Sequence, residues 1–297
     1  MANGREVKTR IKSIQDTMKI TNAMYMISSA KLRKARTNLE NTEPYFQMLQ
    51  ETIARLLRHL PEMEHRYLEE EKRPEKKNKK RGFIVITADK GLAGAYNHNV
   101  VKLTEQCLST GEDDQLFIVG ELGREYFIQH KIPIQKQFHY TVQDPNLTRA
   151  RDISDYVISL YEEKELDEIY VIYTQMVNSM TEEAKVERLL PLKRSVFQAA
   201  MLADVYAEDI RMVPSAEEVV NSVVPDYIAG FIYGALVESF CSEQNARMMA
   251  MKAASDNAEN ILKELRITYH RVRQGAITQE ITEVIAGARA QKKRRKG

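Results

Sequence analysis

The sequence predicts an α+β protein: a long antiparallel coiled coil of N- and C-terminal helices, with an α/β domain (Rossmann-like, mostly parallel sheet) inserted between them. Three observations predict this fold class. No glycine or proline interrupts residues 5–43, which keep a helical periodicity. Short apolar runs then alternate with helix-length segments over residues 82–200. A helical pattern returns at Ser215 and continues to about Ala288.

The N-terminal helix carries a heptad seam, in which apolar or small side chains recur in steps of three and four residues and so face one partner helix. The seam consists of Ile11, Ile14, Met18, Thr21, Tyr25, Ser28, Leu32, Ala35 and Leu39. It is imperfect, because Thr21 and Ser28 stand where a stable dimer would carry Leu or Ile. A second stripe of Ile20, Met24 and Ile27 lies beside the seam and predicts contact with a further neighbour.

Continuous apolar runs bounded by turn residues predict the buried strands of a parallel sheet. The runs are GFIVIT (82–87), QLFIVG (115–120) and EIYVIY (168–173), with a further strand possible near 184–190. Helix-length segments follow the runs, and they are centred on residues 97–109, 121–130 and 148–164. This alternation is typical of a sheet that helices cover on both faces.

The domain boundaries are predicted from the same patterns. Residues 1–60 together with 211–297 form the coiled-coil shaft, and residues 82–200 form the α/β domain. The stretch between them, residues 61–81, is densely charged and contains Pro74. A solvated linker is the favoured interpretation of this stretch, and an arm that binds nucleic acid is the alternative.

The C-terminal helix is predicted to be the longer of the two. Ser215 and Glu218 form a capping box at its start. Pro225 predicts a kink or an offset start. Gly230 and Gly234 would let another backbone approach closely, or they are simply tolerated. Because this helix is longer than its N-terminal partner, its tip is expected to extend beyond the end of the N-terminal helix.

Composition narrows the classes of function. The 297 residues carry a formal net charge of +2, so no strong field points to nucleic acid. The two cysteines, Cys107 and Cys241, lack the spacing of a metal site or a CxxC motif. No run of about 18 apolar residues occurs, so no transmembrane segment is predicted. The polar N-terminus with an early Glu6 argues against an export signal.

The best candidate for a ligand site is the turn TADKGLAGAYNHN, residues 87–99, because α/β proteins hold phosphates at strand-to-helix turns. Gly91 and Gly94 form only a GxxG pattern, so a structural turn is favoured over nucleotide binding. No catalytic residue, cofactor site or metal site is predicted, since no Ser/His/Asp, Cys/His or ligand spacing occurs. The basic end, QKKRRKG (291–297), is interpreted as a solvated tail, with anionic lipid or nucleic acid as alternative contacts.

Four segments of the chain resemble the gamma subunits of F-type ATP synthases, which are the central rotor shafts of those enzymes. The segments are REVKTRIKSIQDTMKITNAMYMISSAKLRKA (5–35), ITADKGLAGAYN (86–97), SEQNARMMAMKAASDNAENIL (242–262) and RQGAITQEITEVIAGA (273–288). The last segment places Ile277, Thr278, Glu280, Glu283, Gly287 and Ala288 at the spacing of the family signature. One departure is the added RAQKKRRKG, because the family's chains usually stop soon after the Gly-Ala pair.

The resemblance implies a non-catalytic subunit of a hetero-oligomer that has no nucleotide site of its own. Its coiled coil threads a ring of catalytic beta and non-catalytic alpha subunits. Its α/β domain lies near the epsilon subunit and the membrane c-ring, at the cytoplasmic face of the bacterial membrane. Ion-driven rotation is thereby coupled to ATP synthesis or hydrolysis. Coupling contacts with the ring are expected at Met24, Arg273, Gln274, Thr278, Glu280 and Glu283.

The last apolar stripe is predicted to be a bearing tip. On a helical wheel its residues fall within about 100° of arc. They are Ile277, Ile281, Val284, Ile285 and Ala288. If the shaft interpretation holds, the N-terminal helix ends before reaching them, and the stripe contacts the surrounding ring. The alternative function is a coiled-coil scaffold whose α/β domain binds a nucleotide or a nucleic acid.

Overall fold

The computed structural model describes residues 4–59, 63–69, 79–108, 113–178, 181–197 and 212–294. The helices are α1 (Gly4–His59), α2 (Tyr96–Leu108), α3 (Glu121–Gln129), α4 (Leu147–Glu162) and α5 (Ala216–Arg294). The strands are β1 (Arg81–Ile86), β2 (Gln115–Val119), β3 (Glu168–Met176) and β4 (Glu182–Leu190). Part of the predicted linker and the end of the basic tail, residues 295–297, lie outside the described residues.

The strands form one mostly parallel sheet in the order β2-β1-β3-β4. Strand β1 is central and parallel to both neighbours, with Ile84 opposite Phe117 on β2 and Val171 on β3. Strand β4 runs antiparallel to β3, with Val186 opposite Ile172. The predicted mostly parallel sheet between two terminal helices is therefore confirmed, and the possible fourth strand is present.

Alternate residues of β1 pack into separate cores on the two faces of the sheet, because successive strand side chains point to opposite sides. Ile84 is fully buried in a core that includes Val157 of α4. Phe83 is 2% exposed on the other face, where it packs with Val100 of α2 and Phe127 of α3. Truncating Ile84 to Ala would therefore cost about 2–5 kcal/mol of the free energy of unfolding.

The first of these cores extends into the two long helices. Ile53 and Leu57 of α1 and Ile228 and Ile232 of α5 belong to the same buried cluster as Ile84. Each of these four helical residues is at most 4% exposed. The C-terminal part of α1 and the N-terminal part of α5 are thus held to the α/β domain by apolar burial.

The chain divides into two compact units, one of Met1–Ile27 with Met248–Gly297 and one of Ser28–Arg247. In each unit the predicted seam of α1 is the buried side of the helix. Thr21 is 8% exposed in the first unit, and Leu32 is 9% exposed in the second. The second stripe differs, because Ile20 and Ile27 are 62% and 55% exposed. Ile20 and Ile27 therefore keep their apolar surface available for another molecule, whereas Met24 between them is half-buried.

Helix α5 begins as predicted but does not restart at its proline. The Glu218 amide donates to the Ser215 hydroxyl oxygen at 3.2 Å, which is one half of the predicted capping box. The helix runs from Ala216 through Pro225 as one element, so the expected offset start is wrong. The start lies before Pro225 because the Ser215 cap already satisfies a free amide of the first turn.

The two glycines of α5 differ in what surrounds them. A Cβ atom on Gly230 would lie 2.0 Å from Cδ1 of Phe46, so this position needs a glycine. Nothing lies within 4 Å of the same atom on Gly234. A close approach is therefore made at Gly230 alone of the pair, and it is made by an aromatic ring on α1 rather than by the expected backbone.

Helix α5 also contains an 18-residue stretch whose mean hydropathy, 1.3, is high enough for a membrane span by length and composition. Half of that stretch is buried inside the fold. Val224, Ile228 and Leu236 are among the α5 residues that are at most 1% exposed. A core helix passes the same test of composition, and we assign this stretch to the core.

Candidate coupling surface on helices α1 and α5

The tip of α5 presents its apolar stripe to solvent. Ile277 is 44% exposed, Ile281 54%, Val284 72% and Ile285 49%. Ala288 is also exposed. Large side chains of this kind are normally buried in a soluble protein, and clusters of them at the surface mark contact sites. The stripe is thus an apolar face that the described part of the chain leaves uncovered.

The polar side chains of the same tip bond only along their own helix in the contacts that the structure describes. The Thr278 hydroxyl donates to the Gln274 carbonyl at 2.9 Å, and the Thr282 hydroxyl donates to the Thr278 carbonyl at 2.7 Å. The Gln279 amide donates to Glu283 Oε1 at 2.9 Å. The exposed carboxylates therefore remain accessible to donors from another molecule.

The predicted coupling residues fall into two groups. Arg273, Gln274, Thr278, Glu280 and Glu283 are exposed on consecutive turns of α5. Met24 is half-buried on α1, three residues from Thr21, whose hydroxyl oxygen lies 2.6 Å from that of Ser255. Ser255 and Arg273 are 18 residues apart on α5, or about 27 Å at the rise of an α-helix. The structure therefore brings the five α5 residues together and leaves Met24 apart from them.

The described part of α1 begins near Val272 of α5. A Cβ atom on Gly4 would lie 3.6 Å from Cγ1 of Val272, which is ordinary van der Waals contact. From Arg273 to Arg289 every residue of α5 is exposed. The predicted overhang of the α5 tip beyond the paired region thus matches the described helices.

The glycine turn after β1 is filled by contacts within the protein. The Asp89 carboxylate accepts hydrogen bonds from the backbone amides of Glu121, Val142 and Gln143 at 3.1–3.2 Å, and from the Thr141 hydroxyl. These donors satisfy the Asp89 carboxylate within the protein. The contacts favour the interpretation of residues 87–99 as a structural turn.

A row of polar contacts, missed by sequence reasoning, joins α5 to the end of β3. The Ser239 hydroxyl oxygen accepts from the Thr174 amide at 3.2 Å, and the Ser242 hydroxyl donates to the Thr174 carbonyl at 3.2 Å. The Met176 amide donates to Glu238 Oε2 at 3.3 Å. The sequence signal is the group of polar residues Glu238, Ser239 and Ser242 that follows the apolar stretch 227–237 of α5, and it does not reveal the partner strand.

One turn further along α5, Glu243 and Arg247 form a buried ion pair. Their carboxylate oxygen and guanidinium nitrogen lie 2.6 Å apart, and the two side chains are 4% and 9% exposed. Burial raises the pKa of Glu243, and the neighbouring Arg247 opposes that rise. Burial likewise raises the pKa of Glu182, at the start of β4, to about 7. Glu182 is therefore a carboxyl group that titrates near neutrality.

The described residues contain no group of three or more His, Cys, Asp or Glu side chains arranged to hold a metal ion. The buried carboxyl groups have other neighbours instead. Glu168 pairs with Lys79 at 2.8 Å, and Arg81 pairs with Asp114 at 2.7 Å. These pairs tie the ends of the strands together.

Comparison with known proteins identifies the family. The model of the family described as ATP synthase matches residues 3–291. The chain is 45% identical to the ATP synthase gamma chain of Ruminiclostridium cellulolyticum over 98% of this chain and 99% of that protein. It is 43% identical to the gamma chain of Acetivibrio thermocellus, over 98% of this chain and all of that protein. The chain belongs to the ATP synthase gamma chain family.

This membership confirms the resemblance that the four sequence segments predicted. The fold agrees with it. A chain in the structure of the Euglena gracilis mitochondrial ATP synthase rotor superposes with a TM-score of 0.63 at 16% identity, covering 92% of this chain and 98% of that one. At that identity the likeness concerns the fold alone. The superposed chain thus shares the fold described above over most of its length.

Proposed function

We propose that this gamma-family chain is the non-catalytic central-stalk, or rotor, subunit of an F-type ATP synthase. It couples ion-driven rotation of a membrane c-ring to conformational change in the catalytic ring. The observation that carries the proposal is the tip of α5, where an apolar stripe around Ile281 stays exposed on a regular helix. Membership of the gamma chain family supports the same assignment.

The shaft of this rotor is an antiparallel coiled coil of residues 1–60 and 211–297, joined through the linker at 61–81 to the α/β domain at 82–200. Two contacts within the first compact unit support the antiparallel direction. Gly4 lies beside Val272, and Thr21 lies beside Ser255. Moving 17 residues forward on α1, from 4 to 21, corresponds to moving 17 residues back on α5, from 272 to 255. Antiparallel helices require this relationship, and parallel helices exclude it.

The exposed tip acts as a bearing inside the ring of alpha and beta subunits. Apolar contacts are non-directional, so the stripe that contains Ile277, Ile281 and Val284 can slide against an apolar sleeve. Hydrogen bonds are directional, so the polar residues nearby provide positions that engage the ring. These coupling residues are Arg273, Gln274, Thr278, Glu280 and Glu283 on the tip, and Met24 on α1 is a separate, apolar coupling contact.

Coupling depends on unequal contacts. A shaft that touched three catalytic sites identically would favour none of them, because a ligand shifts a conformational equilibrium only through differential affinity for its states. The tip has distinct apolar and acidic sides, so each orientation presents a different surface to each beta subunit. Opening one site while closing another is the type of gating that governs product release. The α/β domain contacts the epsilon subunit and the c-ring at the cytoplasmic face of the membrane.

Co-purification tests the proposal. A tagged chain expressed with the alpha and beta subunits should recover both, and the isolated chain should show no ATP hydrolysis. A photo-reactive residue placed at Ile281 should form crosslinks to the ring subunits. The matched control at Lys252, which is exposed on α5 outside the tip, should give a different crosslinking pattern. Robust hydrolysis by the isolated chain, or no recovery of the ring, would overturn the assignment.

A further inference from the structure

Arg247 donates hydrogen bonds to the backbone of the loop that follows β1, at Lys90 and Gly91. Its Nη2 atom donates to the carbonyl oxygens of Lys90 at 2.7 Å and Gly91 at 3.0 Å, and its Nε atom donates to Gly91 at 3.2 Å. Its Nη1 atom pairs with Glu243. The guanidinium is thus the only described group that joins α5 to these two consecutive carbonyls through three hydrogen bonds. Its planar fork suits this geometry, whereas a lysine would supply a single point of contact.

The Glu243–Arg247 ion pair lies within α5, and burying it costs free energy of desolvation. The side chains of Arg247 and Glu243 are both buried, at 9% and 4% exposed. A buried pair of this kind is often no more stabilising than well-packed apolar residues of the same volume. Its advantage is directional, because a charged hydrogen bond fixes the angle between its partners as well as their separation.

The loop that Arg247 holds is itself rigidly attached to the α/β domain. The Ala88 amide donates to Asn97 Oδ1 at 2.9 Å, which ties the loop to α2. The Asp89 carboxylate accepts from the first amide of α3, that of Glu121, at 3.2 Å. A force applied at Gly91 is therefore transmitted to α2 and α3, because hydrogen bonds hold the loop to both helices.

The second group of contacts fixes α5 at another point of the same domain. Ser239 and Ser242 bond both backbone groups of Thr174 at the end of β3. Ser239, Ser242, Glu243 and Arg247 are spaced by three, one and four residues, so they lie on one side of the helix. Two separate anchor points on one side of the helix oppose its rotation about its own axis, in addition to the apolar packing of α5.

From this geometry we propose that Arg247, positioned by Glu243, is a torque clamp: it locks α5 rotationally to the α/β domain, so that turning the domain turns the shaft. The inference rests on the rotor assignment and adds the residues through which torque enters α5. Arg247 acts as a positioning residue and touches no substrate.

The test measures torsional stiffness in the assembled complex. A bead is attached through an azide-bearing residue at Glu125, which is exposed on α3, and rotation is stalled by withdrawing ATP. The angular fluctuation of the bead is then compared between the unaltered chain and Arg247→Lys, which keeps a cation beside Glu243 but loses the fork. The double variant Glu243→Gln/Arg247→Gln removes both charges together. Arg266→Lys, on an exposed position of α5, is the matched control.

We expect a broader angular distribution for Arg247→Lys and for the double variant, and an unchanged one for Arg266→Lys. A purely structural role would lower the yield or the Tm but leave the fluctuation of assembled complexes as it was. If the unaltered complex rotates and both Arg247 variants fluctuate as it does, the clamp is wrong and the rotor assignment stands. If the unaltered complex never rotates, the rotor assignment itself is wrong.

Discussion

The hydroxyl oxygens of Thr21 on α1 and Ser255 on α5 lie 2.6 Å apart, and Ser255 also lies 3.0 Å from Asn22 Oδ1. The Ser255 hydroxyl has one proton. When Ser255 donates it to Asn22 Oδ1, the Thr21 hydroxyl donates to Ser255, and otherwise Ser255 donates to the Thr21 oxygen. The apparent weakness in the α1 seam is thus a polar pair that joins the two helices. Polar pairs at seam positions fix the register of coiled coils at a cost in stability.

The Thr21–Ser255 pair gives the first prediction. Thr21→Val should lower the free energy of unfolding by about 1–3 kcal/mol, because it leaves a partly buried hydroxyl without one partner. The double variant Thr21→Val/Ser255→Ala should recover most of that loss, since it removes both polar groups. Urea unfolding of the full chain, followed by circular dichroism, measures both. A double variant no more stable than Thr21→Val would show that the two hydroxyls do not interact.

The two glycines of α5 offer a matched pair of substitutions. Gly230→Ala should destabilise the fold by about 1–3 kcal/mol, because the new methyl group would overlap the Phe46 ring. Gly234→Ala meets no atom within 4 Å. It should be neutral or stabilise by up to about 1 kcal/mol, since alanine favours helix. Thermal unfolding distinguishes them, and a stabilised Gly230→Ala variant would contradict the described approach of α1 to α5.

Substitutions in the tip of α5 should leave the stability of the free chain unchanged but lower the activity of the assembled complex. Ile281→Asp/Ile285→Asp changes side chains that are 54% and 49% exposed, so the free energy of unfolding should move by no more than about 0.5 kcal/mol. ATP synthesis by the reconstituted complex should fall, because charged groups would enter the apolar sleeve. Thr282→Asp, on the other side of the helix, is the control. A large loss of stability in the free chain would mean that the stripe is buried by its own chain.

Glu182 should make stability depend on pH. Burial raises the pKa of this group from 4.5 to about 7, so the folded state favours its protonated form. Its contribution to stability is full below pH 4.5 and is lost as pH rises towards 7. Glu182→Gln should therefore stabilise the chain at alkaline pH, on the order of 1 kcal/mol after solvent screening. It should have little effect at pH 4.

Urea midpoints measured across this pH range for the unaltered chain and Glu182→Gln test the expectation. Glu183→Gln, at the exposed neighbouring position, should follow the unaltered profile. Parallel profiles for Glu182→Gln and the unaltered chain would contradict the buried placement of the Glu182 carboxyl.

Periodicity predicted the elements because it records which side of a segment is buried. The seam through Leu32 and Ala35, and the apolar runs of the strands, define faces that the structure buries. The exposed stripe at Ile281 was predicted for the same reason, since a regular apolar pattern beyond the end of α1 implies a partner outside the chain.

Periodicity does not reveal partners far away in the chain. Thr21 and Ser255 are 234 residues apart, and Arg247 and Gly91 are 156 apart. Gly230 and Gly234 look alike in sequence, and only the position of Phe46 separates them. Pro225 was expected to cause a kink or an offset start, and the offset start is wrong, because α5 runs from Ala216 through Pro225 as one helix. Tertiary contacts decided each of these points.

The most direct test of the central claim is single-molecule rotation. The chain is assembled with the alpha and beta subunits of the same synthase, the ring is fixed to a surface, and a bead is attached to the α/β domain. With ATP, the bead should rotate stepwise in one direction. Rotation under load should be lost when α5 is truncated before Ile277. A bead that stays still while the assembled ring hydrolyses ATP would show that the chain is not the rotor.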